Sequence, residues 1–175
     1  VDDLVGHKVD HVAVTGDIVN IALDAELEPA RRWLASLGNP RDVSAVPGNH
    51  DAYVPGALKR ASEAWAPFVK GDTGEAGRFP FYRRRGRAVV IGVSSAEATA
   101  PFMATGRFDS TQAMRLSELL DRFGHEGLYR VVLIHHPPAK KPVHWAGRLI
   151  GTARFREVLH THGAELILHG HTHRS

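Results

Sequence analysis

The sequence predicts an α/β fold in which short buried strands alternate with amphipathic helices. Three observations carry this expectation. Val131-Val132-Leu133-Ile134 and Leu166-Ile167-Leu168 are uninterrupted apolar runs of strand length, as strands covered on both faces read. Segments with apolar residues at helical spacing separate such runs. Finally, the runs end abruptly in Thr15-Gly16-Asp17, Pro47-Gly48-Asn49-His50-Asp51, His135-His136 and His169-Gly170-His171-Thr172-His173. Open α/β sheets bind ligands at the carboxyl ends of their strands, and the alternation argues for stacked layers.

Taken in order, residues 1–8 are polar and read as a linker or helix tail. Residues 9–14 form a short buried strand that Gly16-Asp17 ends. Leu27, Ala30, Trp33, Leu34 and Leu37 give 24–37 a helical period, stopped by Gly38-Asn39-Pro40, and Trp33 is expected in the core. Val43 and Val46 lead a second strand into Pro47-Gly48, a turn signal. A helix is expected over 57–68 and a glycine-rich loop over 71–77. Residues 79–83 and 87–93 read as a hairpin turning through Arg84-Arg85-Gly86, with arginines at a solvated tip. A loop over 94–109 could border a substrate, and Met114, Leu116, Leu119 and Leu120 mark an amphipathic helix over 112–123. After Val131–Ile134 comes a loop carrying Lys140, Lys141, His144 and Trp145, then a helix over 152–160 and the last strand. A chain of 175 residues without repeats or low-complexity segments fits one domain over 1–175.

Composition narrows the function classes. A hydrophobic content of 43% supports a real core, yet no run approaches the roughly 18 apolar residues of a membrane helix. No signal peptide is visible, and the absence of cysteine excludes disulfides and thiolate zinc sites, in keeping with a cytoplasmic location. A net charge of +3 with scattered Lys and Arg is not the basic stripe of a nucleic-acid binder. The 12 histidines stand out, because several fall at strand ends. Asp17, Asn49 with His50, His135, and His171 with His173 supply one carboxylate, one amide oxygen and several imidazoles. Such a mixed nitrogen and oxygen set suits Mn, Fe, Zn or Co better than Mg or Ca alone.

Gly16-Asp17-Ile18-Val19-Asn20, Gly48-Asn49-His50-Asp51, His135 after a strand, and Gly170-His171-Thr172-His173 resemble the calcineurin-like metallophosphoesterase superfamily. The wording Val46-Pro47-Gly48-Asn49-His50-Asp51 and the loop His135-His136-Pro137-Pro138 look most like its bacterial cyclic-nucleotide phosphodiesterase branch. The resemblance implies a four-layer α/β/β/α sandwich and a centre of two divalent or mixed-valence transition metals. It also implies hydrolysis of a phosphodiester by a metal-bridging hydroxide, with 3′,5′-cyclic AMP as the first-choice substrate. By matching position, Asp17 would bridge the two metals; Asn49, His135 and His171 would complete one, and His173 would bind the other. His50 would face the substrate, Asp51 would orient His50, and Asn49 and His136 are further substrate-binding candidates. The family's Asp-x-His on its first strand has no counterpart before Asp17, where His7 and Asp10-His11 have the wrong spacing. The expectation is therefore a sandwich lacking its first strand, a piece of a longer protein. Phosphomonoesters, UDP-sugar-lipid pyrophosphates and a non-catalytic scaffold are the alternatives. A small phosphoester is the expected partner, with a homodimer as a possible assembly.

Overall fold

Along strand β4 (Ala88–Gly92), Val90 enters one hydrophobic core while Val89 and Ile91 enter another. This two-sidedness organises the molecule, because side chains alternate across a strand. The computed structural model describes residues 7, 9–74, 76–100, 102–139 and 145–172. Strands β3 (Phe81–Arg85), β4, β6 (Tyr129–Leu133) and β8 (Leu166–Leu168) form one sheet in the order β3-β4-β6-β8. β3 runs antiparallel to β4, and the remaining pairs are parallel. A second, parallel sheet pairs β1 (Val12–Val14) with β2 (Val43–Ala45), Val12 opposite Val43.

One core fills the space between the two sheets and beneath helices α1 (Asp24–Ser36) and α2 (Ala57–Ala64). It joins Leu27, Ala30 and Leu34 of α1 and Ala57 and Ala61 of α2 to Val43, Ala45, Phe81, Val90 and Leu133. Trp65 anchors it, fully buried with its indole N–H donating to the Leu27 carbonyl at 3.1 Å. On the far side of the four-stranded sheet, α3 (Ser110–His125) and α4 (Thr152–His162) cover Val89, Ile91, Val132 and Ile134 with Leu116, Leu120, Phe123 and Phe155. The layers are thus helix, sheet, sheet, helix, the α/β architecture that the sequence predicts. Among the described residues no helix is long and apolar enough to cross a membrane.

Several local expectations are corrected. Trp33 is 42% exposed, because the buried stripe of α1 runs through Leu27, Ala30 and Leu34, to one side of it. Met114 is likewise outside the core, and Ala113 takes its place on the inner face of α3. The hairpin turns at Gly86-Arg87, so Arg83, Arg84 and Arg85 are strand residues. Arg83 is buried and donates to the carbonyls of Pro40, Arg41, Val43, Pro67 and Lys70. It ties β3 to the loops before β2 and after α2, whereas Arg84 pairs with Glu126 and Arg85 with Asp42 and Asp72. The loop over 94–109 ends in a short strand, β5 (Gly106–Arg107), paired with β7 (Leu149–Ile150). Lys140, Lys141 and His144 lie outside the described residues.

His11, just before β1, packs against this arginine cluster with its Nε2 2.8 Å from Ser44 Oγ. Burial, then the charges of Arg85 and Arg83, push its imidazole from 6.5 down to about 4, against opposing pulls from Asp42 and Asp72. An unfolded chain therefore takes up this proton first as the pH falls. The contribution to stability is complete above pH 6.5 and is lost between there and about pH 4, by at most about 3 kcal/mol. His11→Gln is expected to flatten the dependence of the urea midpoint on pH across that window. Equal slopes for the variant and the parent would refute the assignment.

Candidate metal centre

Four turns at the carboxyl ends of β1, β2, β6 and β8 build the site. After β1 the chain takes two successive left-handed residues, Gly16 at φ 93° and Asp17 at φ 55°. A non-glycine residue in that region is strained by on the order of 1–2 kcal/mol, a cost that recurs where a side chain must be aimed. The close approach of the next turn explains the glycines. A Cβ on Gly16 would stand 2.6 Å from both Gly48 N and His135 Nδ1, and one on Gly48 would collide with Asp17 Oδ1. His171, beyond β8, is also left-handed at φ 69°.

These turns bring four donor atoms together. Asn49 Oδ1 lies 3.1 Å from His135 Nε2 and 3.0 Å from His171 Nδ1. His135 Nε2 is 3.2 Å from His171 Nδ1 and 3.3 Å from Asp17 Oδ2. Donors held at about 2.0–2.2 Å from a transition metal are separated from one another by roughly 3.0–3.5 Å, so the spacing of Asn49, His135 and His171 fits one cation, with Asp17 beside His135. The tautomer of His135 agrees. Its Nδ1 sits 2.6 Å from the Thr15 carbonyl oxygen, which can only accept, so that nitrogen carries the hydrogen. His135 then turns Nε2 toward a carboxylate oxygen, an amide oxygen and a second imidazole. Ligating atoms converging in a half-buried pocket suit a cation, and an imidazole fixed through its other nitrogen is the usual support for a ligand.

The family model for calcineurin-like phosphoesterases matches residues 1–175. The chain belongs to that family. No curated protein matches it. Calcineurin-like phosphoesterases are metal-dependent phosphoester hydrolases that generally use a dinuclear metal centre, and a phosphoester substrate fits the family.

In this calcineurin-like phosphoesterase, burial alone would raise the Asp17 carboxyl. The hydrogen bond and charge of His135 and the His50 amide outweigh it and hold Asp17 below the usual carboxylate range. The His50 amide donates to Asp17 Oδ1 at 3.0 Å. The His50 ring is held by Nδ1, 2.5 Å from the Asn20 carbonyl oxygen, and it stacks beside Tyr53. Its Nε2 is then the nitrogen left for a ligand.

Two expected roles are corrected. Asp51 does not touch the His50 ring. It is fully buried, with Oδ1 accepting from the Ile18 and Val19 amides at 2.9 and 3.0 Å and Oδ2 from the Gly48 amide at 2.8 Å. Burial pushes it up to about 6 against those three donors. Asp51 is a brace between the turns that carry Asp17 and Asn49. His136 is also fully buried, with Nδ1 2.8 Å from Ser95 Oγ and Nε2 2.9 Å from the Ala104 carbonyl oxygen. With both nitrogens engaged it offers a substrate no hydrogen bond, although its ligating atom lies within 4.8 Å of those of His135 and His171. Burial, then the neighbouring His135, push it down to about 3, so the ring is neutral. It packs against the His171 ring at 4.4 Å between centroids, and Gly106 is small because a Cβ there would collide with His136.

His173 lies outside the described residues. His11 and His169 are not among the converging atoms: His11 meets Ser44, and His169 is exposed with Nδ1 3.3 Å from the Gly170 carbonyl oxygen. The Thr15 and Asn20 carbonyls that orient His135 and His50 are not legible in the sequence. Backbone acceptors leave no side-chain signal, and the short distance from strand end to turn was the only hint. Ser95, in the loop expected to border a substrate, instead supports His136 through its hydroxyl.

Proposed function

We propose that this chain hydrolyses a small phosphodiester, with 3′,5′-cyclic AMP as the first substrate to try. The observation that supports it best is the convergence of Asn49, His135 and His171 within 3.2 Å of one another, with the Asp17 carboxylate beside His135. In this reading those four residues hold one cation, and Asp17 and His173 contribute to a second. The bound cations supply charge neutralisation of the phosphate and a water acidified toward neutral pH. His50 is fixed at Nδ1 by Asn20 and presents Nε2 to the leaving oxygen; as the imidazolium it gives up its Nε2 proton to that oxygen as the ester bond breaks and is left neutral with Nδ1–H still on Asn20. Asn49 adds a contact to the phosphate beside its metal-binding oxygen. His136 and Ser95 keep His171 in place from behind.

The test is turnover of bis-(p-nitrophenyl) phosphate with Mn²⁺, alongside p-nitrophenyl phosphate. The diester should be cleaved faster, and His50→Ala should lower kcat by roughly 10²–10⁴-fold with metal content retained. Cleavage of the monoester alone would make the protein a phosphomonoesterase. Loss of metal in His50→Ala, with unchanged activity per bound metal, would make His50 a ligand.

A further inference from the structure

A groove of about 670 Å³ opens from Asp17 and His50 and runs along α1. Its floor is Ile18, Val19 and Asn20, and its wall is Ala25, Glu26, Pro29, Ala30 and Trp33. Ala25, Pro29 and Trp33 recur every fourth residue, so they form one stripe along the outer face of the helix. All three are exposed, and Trp33 is the largest apolar surface among them. The core does not require it, since Leu27, Ala30 and Leu34 already supply the buried face of α1. Pro29 has no N–H, so the Ala25 carbonyl lacks the donor that the i+4 residue of a helix normally provides.

The charge of the lining narrows the occupant. Among the described residues, Asp17 and Glu26 are its acids, His50 is its only other ionisable group, and neither Lys nor Arg lines it. Glu26 is held in place by accepting from the amides of Asn20, Ile21 and Leu23. A second phosphate in this groove would meet a fixed carboxylate and no cation, so a pyrophosphate tail does not fit it. An uncharged planar group does.

We propose that Trp33 is a specificity-determining residue that stacks the uncharged, planar, nucleobase-like group of the phosphoester. This rests on the phosphoester reading of the Asp17 site, and the experiment separates the two. Two diesters with the same scissile bond are compared, the p-nitrophenyl ester of thymidine 5′-monophosphate and methyl p-nitrophenyl phosphate. Trp33→Ala should lower the ratio of their kcat/KM values by roughly 5- to 100-fold, the scale of one base–aromatic stack, chiefly through KM. Trp33→Phe should restore most of it. An unchanged ratio would overturn the proposal while leaving the hydrolytic reading intact. Turnover of neither ester by the parent protein would instead overturn the hydrolytic reading. The groove is then judged by a second measurement, the shift of the Trp33 indole N–H resonance on adding adenosine without metal, assigned with Trp33→Phe. A shift with adenosine and none with ribose 5-phosphate supports the stack, and equal or absent shifts refute it.

Discussion

Asp17→Ala is expected to abolish phosphoester hydrolysis and to weaken Mn²⁺ or Co²⁺ binding by more than roughly 100-fold. Loss of an outer-shell partner alone commonly costs 10- to 100-fold in affinity, and Asp17 stands closer than that. It is the one carboxylate among the four converging donors, so its removal leaves an amide and two imidazoles with no formal charge to meet a dication. Asp51 cannot substitute, because both its oxygens are engaged by backbone amides. Asp17→Asn should lose nearly as much, since it keeps the shape and drops the charge. Titration calorimetry with elemental analysis decides the matter, and two ions per chain in Asp17→Ala would defeat the assignment.

Asp51→Ala should be the most destabilising single change near the site. The carboxylate takes three amide hydrogens, from Ile18, Val19 and Gly48, at a position with no solvent exposure. Each stranded buried donor costs about 1–3 kcal/mol, which suggests a combined loss of about 3–5 kcal/mol after local relaxation. For a chain of this length that is a fall in Tm of roughly 10 °C. Asp51→Asn retains one acceptor oxygen and should fall between. An unchanged Tm in Asp51→Ala would mean that water reaches those amides and that the brace is not needed.

The strand ends were legible in the sequence because short apolar runs stopped at polar clusters, and a run that stops abruptly fixes where its successor residue emerges. Asn49, His135 and His171 stand together, with Asp17 beside His135, for that reason. Faces were harder to read. Trp33 and Leu34 are adjacent on α1, and only the packing of neighbouring layers decides which of two apolar residues is covered. Arg83 looked like part of a solvated tip, because three consecutive arginines carry no mark of the carbonyl cage that one of them enters. The resemblance implies that Asp51 orients His50, its neighbour in sequence. Residues 50–52 form a 3₁₀ turn, and with about three residues per turn neighbouring side chains diverge by roughly 120°. Proximity along the chain there means separation in space.

The donors of the centre come in equal shares from two different sheets. Asp17 and Asn49 follow β1 and β2, while His135 and His171 follow β6 and β8. A cation seated among them would clasp the two halves of the sandwich across their shared core. Because the unfolded chain has no such arrangement, every increment of binding free energy is also folding free energy. The melting temperature then becomes a readout of free metal: it climbs with the logarithm of metal concentration above the dissociation constant and falls back under a chelator. Metal supply would thereby set how long this protein persists as well as how fast it turns over.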